Sequence, residues 1–510
     1  MDINLKSKKL EIKTQKRIWI KRFCIGFFTF TAISSLVNRM GQIPNLPPSY
    51  EITWYTRLSL KTPIFCTSRK FDRSQFMDIV ALQDASNNHR VKKLNIVLDS
   101  TVKFSYMQAQ ELVSIIMNFR KNKKEVHIWA NSISTMPEFL IFSACTKRYL
   151  KSIEGVVWIK GFSIVGAFYK NWLKKKKIDV IGGQGGDYKG GLSINCSHGF
   201  DYYFASNRRC LIEDFAQQAR ILLSQILNVS CLQVESWMQT SWFNSHEAVA
   251  AGLVDEIGNY ERSANEVDLQ EYINRLVRYS RHFKNLVFVV NIDFPLMGYV
   301  CDLFARELTD MAYDNSIKVV LLLIDCPGGQ VEAITKIDQA IQLMRKRGKY
   351  VIAVVDNLAA SGGYILASGA DKIFTRQGSV IGSIGAYYEA MDDTRRLKHK
   401  GIDLDRIYTH HPVDNIDEHS KEFLDRNLQK GYADFKDQIR ERRKLSYPAI
   451  EDIGNGQVFS GAIAYSLGLV DSLDGYAGAF ALIDSMFNHE AYAFIFIPNE
   501  FVIRRWLKDI

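Results

Sequence analysis

A serine at residue 361 stands where the sequence changes from a buried strand to the start of a helix. Residues 357–364 read NLAASGGY, so Ser361 follows an apolar run and precedes two glycines. The run YVIAVV at 350–355 is rich in β-branched residues and too short for a helix, which predicts a buried strand. A serine at such a turn exposes its hydroxyl, and the first N–H groups of the helix are free to bind an oxyanion. The alternative is a serine that only caps the helix.

A second strand end supplies glycines for the same chemistry. Residues 318–324 read KVVLLLI, which predicts another buried strand, and they run into DCPGGQ at 325–330. A serine at one strand end and a Gly-Gly pair at another are the parts of a nucleophile and its oxyanion hole. We therefore predict that Gly328 or Gly329, together with Gly362, donates backbone N–H groups to an oxyanion.

Three motifs in a fixed order connect these residues to a known family. They are PGG at 327–329, ASGGY at 360–364 and GSIG at 382–385. In this order they resemble signal peptide peptidase A, also called protease IV, in its long two-repeat form, over nearly the whole chain after residue 40. The resemblance implies a membrane-bound serine protease with a Ser/Lys dyad and a ClpP-like, crotonase-like fold. It also implies peptide substrates left by signal-peptide cleavage, no cofactor, and a ring-like homo-oligomer, a tetramer.

The chain repeats itself at an offset near 220 residues. The tetrapeptide GLVD occurs at 252–255 and again at 468–471, each time after an alanine-rich helical stretch. Strand and helix patterns alternate in both copies, which predicts an α/β protein with two tandem ClpP/crotonase-like repeats and largely parallel sheets. The predicted units are a basic segment 1–22, an anchor 23–40, a first repeat 46–260, a connecting helix 261–283, a second repeat 284–495 and a C-terminal tail 496–510.

The two copies differ where the chemistry would take place. The first copy reads NSISTMPEF at 131–139, where the second has Ser-Gly-Gly. It reads LDSTVK at 98–103, where the second has IDCPGG at 324–329. The first copy therefore lacks both the nucleophile turn and the oxyanion glycines.

A serine nucleophile needs a base, and two types of residue are available. His410 and His411 follow Ser361 in the same copy, with Asp414 nearby, but no motif places a carboxylate to orient them. The first copy offers Lys189, which lies in a glycine-rich stretch within GDYK at 186–189.

The resemblance favours the lysine. The long form of the family takes its base from a Gly-x-Tyr-Lys context in the first repeat, which implies that Lys189 is the base, and Ser383 matches the serine that orients it. The stretch GGLSIN after Lys189 departs from the family pattern of small residues followed by Glu-Pro. A lysine can act as a base near neutral pH only if its pKa falls far below the ordinary value of about 10.4. Such a shift requires burial away from water. The alternatives are a mobile surface loop at Lys189 and a buried turn serine at Ser383. A phosphate-binding role is disfavoured, because the GxxxxGK spacing is absent.

The net charge of +10 is concentrated at the start of the chain. The first 22 residues carry +6 of it, and an uncharged run of 15 residues follows at 23–37. That run is short for a membrane span of about 20 residues, although residues 18–20 could extend it. A cleaved signal peptide is the alternative. Basic residues before the run predict a cytoplasmic N-terminus and a body on the periplasmic side of the inner membrane. They speak against a nucleic-acid partner, because the rest of the chain carries only +4.

The remaining composition excludes several classes of function. The eight cysteines form no close-spaced pair of the kind that binds zinc, and no dinucleotide fingerprint is present. Two other classes remain as competitors to the protease. One is a catalytically inactive, membrane-bound peptide-binding scaffold, and the other is a crotonase-type acyl-CoA enzyme, which an export anchor disfavours.

Overall fold

The computed structural model describes residues 29–31, 49–56, 73–99, 101–280, 283–405 and 418–496. The predicted basic segment, most of the predicted anchor and nearly all of the C-terminal tail lie outside these residues. Within the anchor only Thr29–Thr31 is described, and it is a strand. In the described ranges no helix has the length and apolar character needed to cross a membrane. The span at 23–40 stays a prediction.

The secondary structure alternates between strands and helices along both repeats. The strands up to residue 268 are β1 (Thr29–Thr31), β2 (Tyr50–Tyr55), β3 (Val91–Leu98), β4 (Glu125–Ala130), β5 (Lys147–Leu150), β6 (Val156–Trp158), β7 (Asp179–Gly185), β8 (Trp242–Asn244), β9 (Glu256–Ile257) and β10 (Glu266–Asp268). The helices up to residue 280 are α1 (Arg73–Asn87), α2 (Tyr106–Lys121), α3 (Met136–Ala144), α4 (Lys170–Lys175), α5 (Ser193–Cys196), α6 (Tyr202–Leu227), α7 (Cys231–Thr240), α8 (Ser245–Ala250) and α9 (Leu269–Ser280).

The second repeat continues the alternation. Its strands are β11 (Asn285–Ile292), β12 (Val319–Cys326), β13 (Tyr350–Ala360), β14 (Lys372–Phe374), β15 (Val380–Gly382), β16 (Ala386–Asp392), β17 (Val458–Ser460) and β18 (Tyr492–Phe496). Its helices are α10 (Tyr299–Tyr313), α11 (Val331–Lys346), α12 (Gly362–Ser368), α13 (Thr394–His399), α14 (Glu418–Arg443), α15 (Tyr447–Ile453), α16 (Gly461–Ser466) and α17 (Gly475–Met486).

Each repeat contributes its own main sheet. The first sheet has the order β10-β2-β3-β4-β5-β9, and all its strand pairs are parallel. The second has the order β1-β18-β11-β12-β13-β15-β17, with β14 beside β13; only its outer pairs β1/β18 and β15/β17 are antiparallel. Continuous apolar strands such as β12 are buried on both faces, which suits a parallel sheet covered by helices. The predicted α/β class with largely parallel sheets is confirmed.

The segment between the repeats differs in detail from the predicted connecting helix. Residues 261–283 contain the short strand β10 followed by the helix α9, so only the second half of the segment is helical. Strand β10 joins the first sheet beside β2, because Val267 is buried there and pairs with Ile52.

The two repeats pack into one body. One hydrophobic core extends from the first sheet to α17 and β18 of the second repeat. Phe76 on α1 makes edge contacts with four aromatic rings of the second repeat, namely Tyr476, Phe480, Phe494 and Phe496. A two-stranded antiparallel ribbon joins β7 of the first repeat to β16 of the second, with Gly185 opposite Ala386. This ribbon carries the chain directly to the candidate site.

Candidate active site

Ser361 lies at a strained turn between β13 and α12. Strand β13 extends five residues past the predicted end at 355, because it pairs with β15 through residues 358–360. The backbone of Ser361 has φ 55° and ψ −123°, a conformation that residues other than glycine rarely adopt. The half-buried Ser361 makes no side-chain capping bond to α12. Ser361 thus occupies the N-cap position without capping the helix through its side chain, and the hydroxyl is available for other contacts.

The register of the sheet brings Ser361 next to Ser383. Ala360 pairs with Gly382 across the parallel strands β13 and β15. Ser361 and Ser383 are the next residues, so they follow equivalent positions of the two strands. The Ser361 N–H donates to the Gly382 carbonyl at 2.8 Å. Ser383 also has a positive φ, of 53°. Neighbouring strands lie about 4.8 Å apart, so both side chains leave the sheet at the same edge.

The glycine loop after β12 packs against this turn. Gly328 has φ +100°, and a Cβ placed on it would lie 2.8 Å from the Gly362 nitrogen and 2.9 Å from the Ser361 Cβ. Only glycine fits this position, because a side chain would both strain the backbone and fill the space beside the serine. Gly362 is the first residue of α12, where a backbone N–H has no acceptor within the helix.

The hydrogen bonds of the loop distinguish the two glycines that the sequence left as alternatives. Gly328 donates its N–H to the Cys326 sulfur at 3.4 Å. Leu296 bonds to the residues on either side of Gly329, accepting from Gln330 at 2.7 Å and donating to Gly328 at 2.9 Å. Because Leu296 and Gly329 form a parallel bridge, the N–H of Gly329 points away from Leu296. Gly329 is therefore better placed than Gly328 to donate its N–H to an oxyanion.

Lys189 reaches this edge from the first repeat. It follows β7, and its side chain is 5% exposed. Its Nζ donates to the Ser383 carbonyl at 2.9 Å and to the Ser383 hydroxyl at 3.0 Å. Burial, and secondarily the positive charge of Arg208, lower the pKa of Lys189 to about 7. The amine is therefore partly neutral near pH 7 and can accept a proton.

A segment that the sequence analysis did not identify holds the lysine loop. Asn455 accepts from the Tyr188 N–H at 3.0 Å through its carbonyl and from the Asp187 N–H at 2.8 Å through its side chain. A Cβ on Gly456 would lie 2.7 Å from the Lys189 nitrogen. The signal in the sequence is the pair of glycines around Asn455, in GNGQ at 454–457. These glycines indicate that another backbone segment passes close by, but the sequence does not identify that segment.

Other predicted or possible ligands can be placed more briefly. His410, His411 and Asp414 lie outside the described residues. In the described ranges no group of three or more His, Cys, Asp or Glu side chains could hold a metal ion. The six cysteines described are free thiols: Cys145, Cys196, Cys210, Cys231, Cys301 and Cys326.

Comparison with known families identifies the class of protein. A strained serine beside a glycine loop, on a parallel sheet, is the arrangement of a ClpP-like serine hydrolase, and the Clp protease profile matches residues 288–379. The profile of peptidase family S49 matches residues 118–274 and 343–487, once in each repeat and over more than half of the chain. The chain belongs to peptidase family S49 and is a serine protease, which confirms the resemblance drawn from the three motifs.

Curated relatives agree with this assignment. Protease 4 of Haemophilus influenzae is 24% identical over 81% of this chain and 73% of its own length. Protease 4 of Salmonella typhi is 21% identical over 81% of this chain and 72% of its own length. A putative signal peptide peptidase SppA of Enterococcus faecium is 26% identical over 34% of this chain and 52% of its own length. The long relatives match both repeats.

Proposed function

We propose that this protein is a membrane-anchored endopeptidase that uses Ser361 as nucleophile and Lys189 as general base. The observation that carries the proposal is the contact of the buried Lys189 amine with Ser383, beside the strained turn at Ser361. The base comes from one repeat and the nucleophile from the other. The site exists only when the two repeats are packed together.

The chemistry follows from these positions. The Ser361 hydroxyl attacks the scissile carbonyl carbon, and its proton passes to the neutral Lys189 amine. The oxyanion accepts hydrogen bonds from the N–H groups of Gly329 and Gly362, each worth about 3 kcal/mol in comparable sites. Lys189 then gives its proton to the leaving amine, which departs and leaves an acyl-enzyme on Ser361. A water molecule, deprotonated by Lys189, hydrolyses the ester and restores both groups.

Ser383 holds the base in place. Its hydroxyl and carbonyl both accept from the Lys189 amine. Two acceptors on one residue fix the amine against rotation and leave one further position on the nitrogen for the Ser361 proton. Ser383 is in this proposal a positioning residue, as the family resemblance implies.

The proposed substrates are extended, apolar peptides such as signal-peptide remnants. A relative is named a signal peptide peptidase, which supports this choice. A peptide that adds to a sheet edge presents its carbonyl to a serine at the end of that edge. The basic segment and the apolar run at 23–37 support an inner-membrane anchor with the body on the periplasmic side. A homo-oligomer, a tetramer, is proposed from the family resemblance.

The deciding experiment is covalent labelling of the full-length protein with a fluorophosphonate, followed by mass mapping of the adduct. We expect one adduct, on Ser361, and its loss in Lys189→Ala. Lys189→Arg should not restore labelling, because a guanidinium does not give up its proton at working pH. An adduct on another serine would overturn the proposal. A folded protein that takes up no probe but still binds peptides would instead be the inactive scaffold.

A further inference from the structure

Arg208 is a half-buried cation behind the Lys189 loop that the proposed mechanism does not use. It lies on α6, and its guanidinium donates to the Asn207 side chain at 3.0 Å, an uncharged partner. Burial lowers the pKa of Arg208 to about 10, the direction expected for a cation that leaves water without gaining an anion. It remains charged at neutral pH.

The packing around Arg208 fixes its position relative to Lys189. The guanidinium carbon lies 4.3 Å from the centre of the Phe204 ring. That ring is packed against Gly190, the residue after Lys189, because a Cβ on Gly190 would lie 2.1 Å from it. Arg208, Phe204 and the lysine loop therefore form one stack, and the guanidinium is held by a cation–π contact.

The neighbouring residue anchors the same helix to the other side of the site. The Asn207 side chain donates to the Val458 carbonyl and accepts from the Val458 N–H, both at 3.0 Å. Val458 pairs with Gly382, the residue before Ser383. Helix α6 thus contacts the Lys189 loop through Phe204 and β17 through Asn207, and β17 pairs with the strand that precedes Ser383. These contacts fix the backbone from which the Arg208 side chain extends.

Three carboxylates lie on the segments around the Lys189 loop, and each accepts hydrogen bonds from uncharged groups. The Asp187 carboxylate accepts from Asn455, that of Asp201 from Ser193 and the Phe204 N–H, and that of Glu389 from Asn195. These bonds do not remove the negative charges, but the charged group that acts on the lysine, in addition to burial, is Arg208. A like charge favours the neutral form of a titratable amine.

We propose that Arg208 is a positioning residue that keeps the Lys189 amine neutral by electrostatic repulsion, and so sets the pH range in which the base works. This inference rests on the proposed role of Lys189. Neither the serine nor the substrate has to contact Arg208, since the effect passes through the lysine. Losing the charge should matter at low pH, where the amine becomes protonated, and should vanish at high pH.

The test measures the titration of Lys189 itself. In full-length Ser361→Ala protein with ¹³C-labelled lysine, the Cε resonance of Lys189 is followed against pH and assigned with Lys189→Arg. Arg208→Gln should raise the midpoint by about one pH unit, and Arg208→Lys should keep most of the wild-type midpoint. Arg209→Gln is the matched control, because Arg209 is the exposed neighbour on the same helix and should leave the midpoint unchanged.

Activity supplies a second readout. With Ser361 present, Arg208→Gln should move the acid limb of kcat/KM to higher pH by the same interval and reach the wild-type plateau at high pH. A structural role would lower the rate at all pH values. Phe204→Leu removes the aromatic ring under the guanidinium and should shift the acid limb of kcat/KM in the same direction by a smaller amount. This variant replaces Arg208→Gln in the test if Arg208→Gln does not fold.

The outcomes separate the two proposals. A low Lys189 midpoint that Arg208→Gln and Phe204→Leu leave unchanged overturns the role of Arg208 and leaves the base assignment intact. An ordinary lysine midpoint in the protein with Arg208 present overturns the base assignment and, with it, this inference.

Discussion

The two repeats contain the same strand-to-helix turn and use it differently. In the first repeat the helix α3 begins after Thr135, which has φ −140° and accepts from the Glu138 N–H at 3.3 Å through its side chain. In the second repeat α12 begins after Ser361, which has φ 55° and no capping bond. An extended, capped residue stabilises a helix by about 1 kcal/mol, whereas a strained and uncapped one costs stability. The first turn serves folding, and the second presents a hydroxyl.

The loops beside the two turns show the same contrast. Lys103 stands in the first repeat where the second has Gly329. Its Nζ lies 2.8 Å from the Ser134 hydroxyl and 2.8 Å from the carboxylate of Glu138, which is 2% exposed. An ion pair between the half-buried Lys103 and the buried Glu138 thus stands at the position of the glycine loop. The comparison teaches that the same turn can be stabilised by a cap and an ion pair in one repeat and left strained beside glycines in the other.

The largest expected effect comes from removing the hydroxyls at the two turns. Ser361→Ala should lower kcat/KM by at least about 10⁴-fold, as for the nucleophile of other serine proteases. Thr135→Ala should leave peptide cleavage unchanged and lower the free energy of unfolding by about 1 kcal/mol. Kinetics on a fluorogenic peptide and urea denaturation measure the two effects. Equal losses of activity in both variants would mean that the turns do not differ in function.

The glycine loop should show the next largest effect. Gly328→Ala puts a methyl group 2.8 Å from the Gly362 nitrogen and forces a side chain onto a backbone with φ +100°. We expect kcat to fall by about 10²- to 10³-fold, the range for loss of one oxyanion donor, because the methyl group displaces the Gly362 N–H. Val102→Ala, at the corresponding position of the first repeat, is the control and should keep full activity. An unchanged kcat in Gly328→Ala would place the oxyanion hole elsewhere.

The pH dependence tests the contribution of the first repeat, because Lys189, the proposed base, comes from that repeat. The pKa of Lys189, lowered to about 7, predicts that kcat/KM rises with pH through about 7 as the amine becomes neutral. Between this value and the ordinary 10.5 only the unfolded chain binds the proton, so stability falls as the pH falls through that window. A pH–rate profile and denaturation at several pH values test both statements.

The carboxyl group of Asp325 requires a control in the pH–rate experiment. Burial, together with the negative charge of Asp293, raises the pKa of Asp325 to about 7, next to the glycine loop. Asp325→Asn should keep the rising limb if Lys189 causes it. Loss of the limb in Asp325→Asn alone would assign it to the carboxyl group.

The smallest expected effect concerns the ion pair of the first repeat. Lys103→Met leaves the Glu138 carboxylate without its cation, although the Ser134 N–H still donates to it at 2.8 Å. We expect a loss of about 2 kcal/mol in the free energy of unfolding, with the activity per folded molecule unchanged. Thermal denaturation and active-site titration provide the values. A large loss of catalytic rate would show that the first site still takes part in the reaction.

Local sequence patterns determined much of the second repeat. The apolar runs ending near Ser361 and Asp325 predicted strands β13 and β12, because burial on both faces of a parallel sheet requires continuous apolar residues. Their ends were less well predicted, since the last residues of β13 continue the strand by pairing with β15 and, after a register shift, with β12. The motif trio carried enough information to name the family, which the comparison with family profiles confirmed.

The family motifs pointed to Lys189 and Ser383, but only the tertiary structure showed that the two residues are in contact. Lys189 and Ser383 are 194 residues apart and meet because β7 and β16 form a ribbon between the repeats. Gly329 is preferred over Gly328 as oxyanion donor because of its pairing with Leu296. Asn455 holds the Lys189 loop through a contact with Asp187, which is 268 residues away in the sequence. Sequence patterns report burial and local turns, because these depend on near neighbours. Contacts between repeats depend on sheet register and long-range packing, which leave no periodic signal in the chain.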